Sequence, residues 1–260
     1  MNRWGAGLAI AAGLLLSGCA TLSARLAPPH RPSALAWAYP DQVKAVRGGQ
    51  VVMVDGAVFP ISDGRPGEAS EQGLDQADIA DMFAQTYRRG PQRKPPRGDP
   101  GRARYEPLFL KMYGDCSTRP FQAHMRRVAW MPARQGGTVN VTTVNGVDRA
   151  LEAVVADLEK LPPEMTRYLV PTAGAFNCRV VAGTGRRSMH AYGAAIDIAT
   201  AWSDYWLWKG GEDAVWANRI PPEIVAVFER HGFIWGGRWR HFDTMHFEYR
   251  PELLPRRRRP

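Results

Sequence analysis

Arg186-Arg187-Ser188-Met189-His190-Ala191-Tyr192-Gly193-Ala194-Ala195-Ile196-Asp197-Ile198 reads as S-x-H-x-x-G-x-A-x-D, a turn that runs into a strand. Gly193 lets the backbone bend after His190. The residues after it alternate as a half-buried strand does, with Ala194, Ile196 and Ile198 on one face. Asp197 therefore points the other way, beside the small Ala195 and back toward His190.

A second stretch, Phe242-Asp243-Thr244-Met245-His246-Phe247-Glu248-Tyr249, completes the pattern. Met245, Phe247 and Tyr249 are expected to face the core, and Thr244, His246 and Glu248 the site. Two imidazoles and one carboxylate, with one coordination position left for water, make the ligand set of a catalytic zinc. The expectation is one Zn²⁺ held by His190, Asp197 and His246, and a zinc hydrolase around it.

The pair S-x-H-x-x-G-x-A-x-D and D-x-x-H-F-E resembles the M15 family of zinc metallopeptidases, which comprises D-alanyl-D-alanine carboxypeptidases and dipeptidases and the related L-alanyl-D-glutamate endopeptidases. The likeness runs from about Asp99-Pro100-Gly101-Arg102 to Tyr249-Arg250-Pro251-Glu252-Leu253. It implies that His190, Asp197 and His246 are the zinc ligands and Asp243 the general base. It also implies the fold shared by D-Ala-D-Ala peptidases and the hedgehog signalling domain, and substrates among peptidoglycan stem peptides or muropeptides. The family commonly takes a substrate-binding Arg from a G-Y-R-[ST] turn upstream. Here the nearest text is Phe176-Asn177-Cys178-Arg179, so Arg179 and Arg186 are both candidates, with Ser188 beside them. His241, two residues before Asp243, is a candidate for holding an oxyanion or a ligand carboxylate. Glu248 is a candidate for orienting an imidazole from behind. His30, His124 and His231 lie in no metal-type pattern and read as structural. Trp202, Trp235 and Trp239 could line a groove, although aromatic residues this frequent are more often core. The alternative to a peptidase is a non-catalytic, zinc-containing cell-wall binding module. Such a module is expected to have lost its base, and Asp243 is present.

The N-terminus supplies an address. One positive charge precedes an apolar run from Gly5 to Leu16, too short to span a bilayer comfortably, which ends in Leu16-Ser17-Gly18-Cys19. The boundary resembles a bacterial lipobox, so residues 1–18 are read as a signal peptide and Cys19 as the lipidation site. Ala20 resembles an outer-membrane rather than an inner-membrane sorting signal. The expected location is the cell envelope, lipid-anchored and facing the periplasm. With Cys19 spent on lipid, Cys116 and Cys178 remain, an even pair that in an oxidising compartment suggests a disulfide; two buried free thiols are the alternative. The net charge of +9 would suit nucleic acid, anionic lipid or an acidic polymer, and the exported address argues against nucleic acid. Part of the excess is the Arg256-Arg257-Arg258-Arg259 tail.

Residues 19–40 read as a Pro- and Ala-rich tether, 41–135 as an N-terminal elaboration packed on the catalytic domain, 136–255 as the zinc peptidase core and 256–260 as a basic tail. Gln50 to Ile61 suggests two strands around an Asp-Gly turn. Gln76 to Tyr87 suggests an amphipathic helix. Gly90 to Arg104 reads as a basic loop with no core of its own, either solvated or rimming an anionic groove. A strand is expected from Thr138, a helix over Arg149–Leu161 capped by Asp148, and a strand within Tyr168–Val181 that delivers Arg179. A second helix is expected between Pro222 and Gly232. Strands and helices mix without βαβ alternation, so the fold class is α+β, with a small antiparallel sheet carrying the site between flanking helices.

Overall fold

A computed structural model describes residue 1 and residues 31–65 and 71–256. The leader, Cys19, most of the tether and Arg257–Arg259 of the tail lie outside the described residues. Among those described, no helix is long and apolar enough to cross a membrane.

The strands are β1 (Val43–Arg47), β2 (Gln50–Met53), β3 (Val58–Pro60), β4 (Met125–Ala129), β5 (Thr138–Thr142), β6 (Ala195–Asp197), β7 (Phe233–Trp235) and β8 (His246–Tyr249). The helices are α1 (Ala34–Ala38), α2 (Glu71–Asp75), α3 (Glu106–Tyr113), α4 (Arg119–Gln122), α5 (Val147–Leu158), α6 (Thr166–Leu169) and α7 (Pro222–Arg230). All strand pairing is antiparallel, in sheets ordered β1-β2-β3, β4-β5 and β6-β8-β7. The architecture is α+β, as the mixed pattern of elements suggests.

The third sheet decides where the chemistry sits. Its central strand β8 pairs Asp197 with His246, Ile196 with Phe247 and Ala195 with Glu248. Directly opposed residues project from the same face of a sheet, so this register brings the last residue of β6 and the first of β8 together. On the other face Phe247 is fully buried and stacks on Phe228 of α7 with ring centroids 3.8 Å apart. Burying such a side chain contributes about 1.5–3 kcal/mol, and it holds β8 in register against α7. The same hydrophobic core also takes in Leu35, Val43 and Val51 from the N-terminal part and Leu151 and Val154 from α5.

Three local expectations differ from the structure. The helix expected over Gln76–Tyr87 is absent, and only a 3-10 turn, Asp81–Phe83, forms there. The Asp78 amide donates to Asp81 Oδ2 at 3.0 Å and the Asp81 amide to Asp78 Oδ1 at 2.9 Å, so the carboxylates take the donors that a helix would use. Ile79, Met82 and Tyr87 are buried nonetheless, which accounts for the apolar spacing. Asp148 does not cap α5. The helix begins two residues before Arg149, after Gly146 in a left-handed conformation, and Asp148 instead pairs with Arg126 at 2.8 Å. The stretch after α6 is not a continuous strand: it makes isolated bridges, Gly174 to Asp197 and Val180 to Arg187.

Candidate metal centre

His190 lies in a 3-10 turn, Met189–Tyr192, whose N-cap is Ser188; the Ser188 hydroxyl accepts from the His190 amide at 3.3 Å. The turn closes on Gly193 at φ 64°. A Cβ there would lie 2.9 Å from the Thr142 amide nitrogen, which itself donates to the Gly193 carbonyl at 3.0 Å. Glycine is therefore required twice over, for the left-handed backbone and for the close approach of β5.

The turn and the β6–β8 register converge on one point. His190 Nε2 is 3.1 Å from Asp197 Oδ1, His246 Nδ1 is 3.0 Å from the same oxygen, and the two ring nitrogens are 3.2 Å apart. The outer nitrogens fix which atoms face inward. His190 Nδ1 bonds the Ala175 carbonyl, and His246 Nε2 lies 3.0 Å from Glu248 Oε2. With those nitrogens as donors, His190 Nε2 and His246 Nδ1 keep lone pairs directed at the shared point. Two neutral imidazole nitrogens and a carboxylate oxygen, each from a different side, are a donor set that fits a divalent zinc-type cation.

Charge around the point is strongly perturbed. Asp197 is half-buried, and that desolvation opposes ionisation, but the two imidazoles hold its carboxyl well below the usual range. Burial likewise disfavours a charged His246, yet its hydrogen bonds to the Asp197 and Glu248 carboxylates outweigh it and push the ring up to about 10. Such a proton must leave before Nδ1 can serve as a ligand, so a bound cation and that proton compete.

Asp243 sits at the turn before β8, its backbone bridged to Tyr205. Burial, then the charge of Asp197, raises its carboxyl well above the ordinary carboxylate range. Its buried Oδ1 has no hydrogen-bond partner among the described residues. A carboxylate placed so, beside a point that would hold a cation, is equipped to take up and release a proton.

Behind His246 runs a buried chain of charges. Glu248 Oε1 accepts from Arg250 Nη1 at 3.1 Å, Arg250 Nε donates to Glu252 at 2.5 Å, and Tyr39 donates to Glu252 Oε2 at 2.5 Å. Burial would raise Glu248, but Arg104, His246 and Arg250 draw it down to about 2. The chain ties the residue that ends α1 to a candidate metal ligand.

All four residues of the core pattern line one cleft of about 390 Å³. Arg179 and Arg186 line it as well, in different settings. Arg186 is buried and bonded to Asp75 at 2.8 Å, whereas Arg179 is exposed at the rim and donates to the carbonyl of its neighbour Val180 at 3.2 Å. His241 stands apart from the three ligands, with Nδ1 2.7 Å from Asp99 and Nε2 3.1 Å from Glu212. The Asp99 bond chiefly, against some desolvation, raises its pKa. Of the tryptophans considered, Trp239 lines the cleft, Trp235 is core, and Trp202 packs on Tyr168. Trp206 and Trp208 form another part of the wall. Cys116 and Cys178 are joined by a disulfide, Cα atoms 5.7 Å apart, directly ahead of Arg179.

Arg102 and Arg104, from the basic loop, are buried and line the cleft. The loop's basic composition suggests a groove's rim as one of two readings, without singling out either residue. The one usable signal was their i, i+2 spacing in a basic segment, which puts both on one side of an extended chain.

Residues 182–249 match the family model of D-alanyl-D-alanine carboxypeptidases of the M15 type. That span holds His190, Asp197, Asp243, His246 and Glu248, and the match supports an M15-family peptidase. No curated protein and no solved structure matches the chain.

Proposed function

We propose that the chain is a zinc-dependent peptidase that hydrolyses a peptide bond in peptidoglycan stem peptides or their fragments, working in the cell envelope from a lipid anchor at Cys19. The observation that carries this reading is the convergence of His190 Nε2, His246 Nδ1 and Asp197 Oδ1 in a cleft that also contains Asp243.

His190, Asp197 and His246 would hold the zinc. When bound, it supplies Lewis acidity and a water acidified toward neutrality. The protein's own groups do the rest. Ala175 and Glu248 hold the two imidazoles in the tautomers that ligation needs. Asp243, whose Oδ1 has no partner among the described residues, accepts the proton of the attacking water and passes it to the departing amine. A divalent charge nearby stabilises its ionised form, offsetting the burial that raises its pKa. His241, held by Asp99, offers an imidazole to the cleft, and Arg179 offers a fork suited to a substrate carboxylate. Trp206, Trp208 and Trp239 limit the water around these groups.

The test is to incubate the zinc-loaded chain with defined muropeptides and weigh the products. Loss of a terminal residue, or a cut within the stem, is expected. Intact substrates, with zinc bound at one equivalent, would remove the peptidase reading.

A further inference from the structure

A second groove, of about 1260 Å³, joins the two ends of the described chain. Ala36 and Trp37 of α1 line it, with Arg89, Arg230 at the end of α7, Tyr249 of β8 and Arg256. Side chains alternate along a strand. Tyr249 therefore leaves β8 on the opposite face from His246 and Glu248, which line the metal cleft. The groove and the cleft have no lining residue in common.

The groove is basic. Arg89, Arg230 and Arg256 are exposed along it. The one acid among the described residues that line it is Glu229, which is buried and already engaged. Arg238 Nε and the Tyr87 hydroxyl each donate to its Oε1 at 2.7 Å. Arg230 lies 3.4 Å from Asp157, but that carboxylate is divided among Arg230, His231 at 2.9 Å and Lys160 at 2.8 Å. Arg257, Arg258 and Arg259 continue the basic run in the sequence. Beside these cations stands the half-buried indole of Trp37. An amphipathic ring next to guanidinium groups suits the boundary between lipid headgroups and water.

The ends of the chain indicate which anion the groove meets. With lipid on Cys19, the stretch from Ala20 to Ser33 links the membrane to α1 and spans at most about 50 Å fully extended. The groove that α1 lines is held within that reach. A negatively charged lipid surface attracts clustered arginines, and each guanidinium can take two oxygens of one phosphate. We propose that this groove is a docking surface for the acidic phospholipid headgroups of the anchoring membrane, and that docking there turns the metal cleft away from the lipid. The choice of lipid rests on the anchor at Cys19. The groove's affinity is measured without that anchor and without turnover, so each reading can fail alone.

The test is flotation of the unlipidated full chain with vesicles of phosphatidylcholine, or of the same lipid mixed with phosphatidylglycerol. The apolar leader meets both kinds of vesicle, so the difference between them reads the acidic headgroup. Wild type is expected to prefer the acidic vesicles, by a margin that shrinks as salt rises. One arginine near such a surface contributes roughly fivefold. Arg89→Gln with Arg256→Gln should therefore cut the preference by roughly 10–30-fold. Arg179→Gln with Arg240→Gln removes the same charge at the metal cleft, which Arg179 lines and whose lining residues Trp239 and His241 flank Arg240. That pair should change the preference less than about twofold, because its face points away from the lipid. Equal losses in the two pairs overturn the proposal, as does a wild type that shows no preference. Loss confined to a chain with Arg257→Gln, Arg258→Gln and Arg259→Gln, with the groove pair unaffected, assigns binding to the tail alone and overturns it too. Polyglutamate is run alongside as a soluble polyanion. Binding to it through Arg89 and Arg256, with acidic vesicles ignored, would make the groove a site for an anionic polymer and remove the lipid.

Discussion

Replacing Glu248 by Gln should weaken metal binding from behind the ligand. The change is isosteric, but it turns one of two acceptor oxygens into a donor. In the native chain Oε2 faces His246 Nε2 at 3.0 Å and Oε1 faces Arg250 Nη1 at 3.1 Å. An amide can satisfy only one of them, and the other is left as a buried donor facing a donor. That mismatch costs about 1–3 kcal/mol. Arg250 keeps Glu252 at 2.5 Å, so the amide oxygen is best used for Arg250 or His246 but never for both. Loss of an outer partner of a ligating imidazole typically reduces metal affinity 10–100-fold, equivalent to about 1.4–2.7 kcal/mol, and the two figures agree. Competition against a chromogenic chelator measures the zinc Kd, and the melting temperature of the metal-free chain separates folding from ligation. A zinc Kd within twofold of wild type in Glu248→Gln would refute the reasoning that Glu248 orients and charges His246.

Other outcomes follow from the same geometry. Unfolded, unreduced chain should show no thiol from Cys116 or Cys178, and opening their bridge, which closes a separation of 62 residues, should cost about 4 kcal/mol in denaturant unfolding. The His241–Asp99 pair should make stability depend on pH in a defined direction. His241 is raised, so its contribution is full below the ordinary histidine pKa and is lost as pH rises through the folded value. Asp99 is lowered, so its contribution is present above the ordinary aspartate pKa and is lost as pH falls through the folded value. Asp99→Asn should therefore lower the melting temperature most between about pH 4 and 6.5, with the gap from wild type narrowing at alkaline pH; a gap that widens there contradicts the assignment. Arg179→Lys should lose activity on peptides with a free terminal carboxylate more than on amidated ones, and equal losses on both would take Arg179 out of substrate binding.

The candidate ligands were legible because each belongs to a short pattern with a local cause. Strand alternation aims Asp197 away from Ile196 and Ile198, and the β6–β8 register sets it against His246. The α5 and α7 helices were legible from their apolar stripes, within a few residues at each end. What escaped depends on partners distant in sequence. Tyr39 reaches Glu252 across 213 positions and His241 reaches Asp99 across 142, and no local pattern marks either pair. Arg102 and Arg104 looked like solvated charge because their cover comes from elsewhere in the fold. The missing helix near Ile79 shows the opposite failure: its apolar spacing was genuine, but Asp78 and Asp81 spend their carboxylates on each other's amides.

On the proposed mechanism Asp243 moves the proton beside a zinc held by His190, Asp197 and His246. Turnover of Asp243→Asn against wild type, both at equal zinc stoichiometry and on the same muropeptide, tests it most directly. One zinc per chain is expected in each protein, with a rate lower by roughly 10²–10⁴-fold in the variant. Near-normal turnover by a fully loaded Asp243→Asn would contradict it.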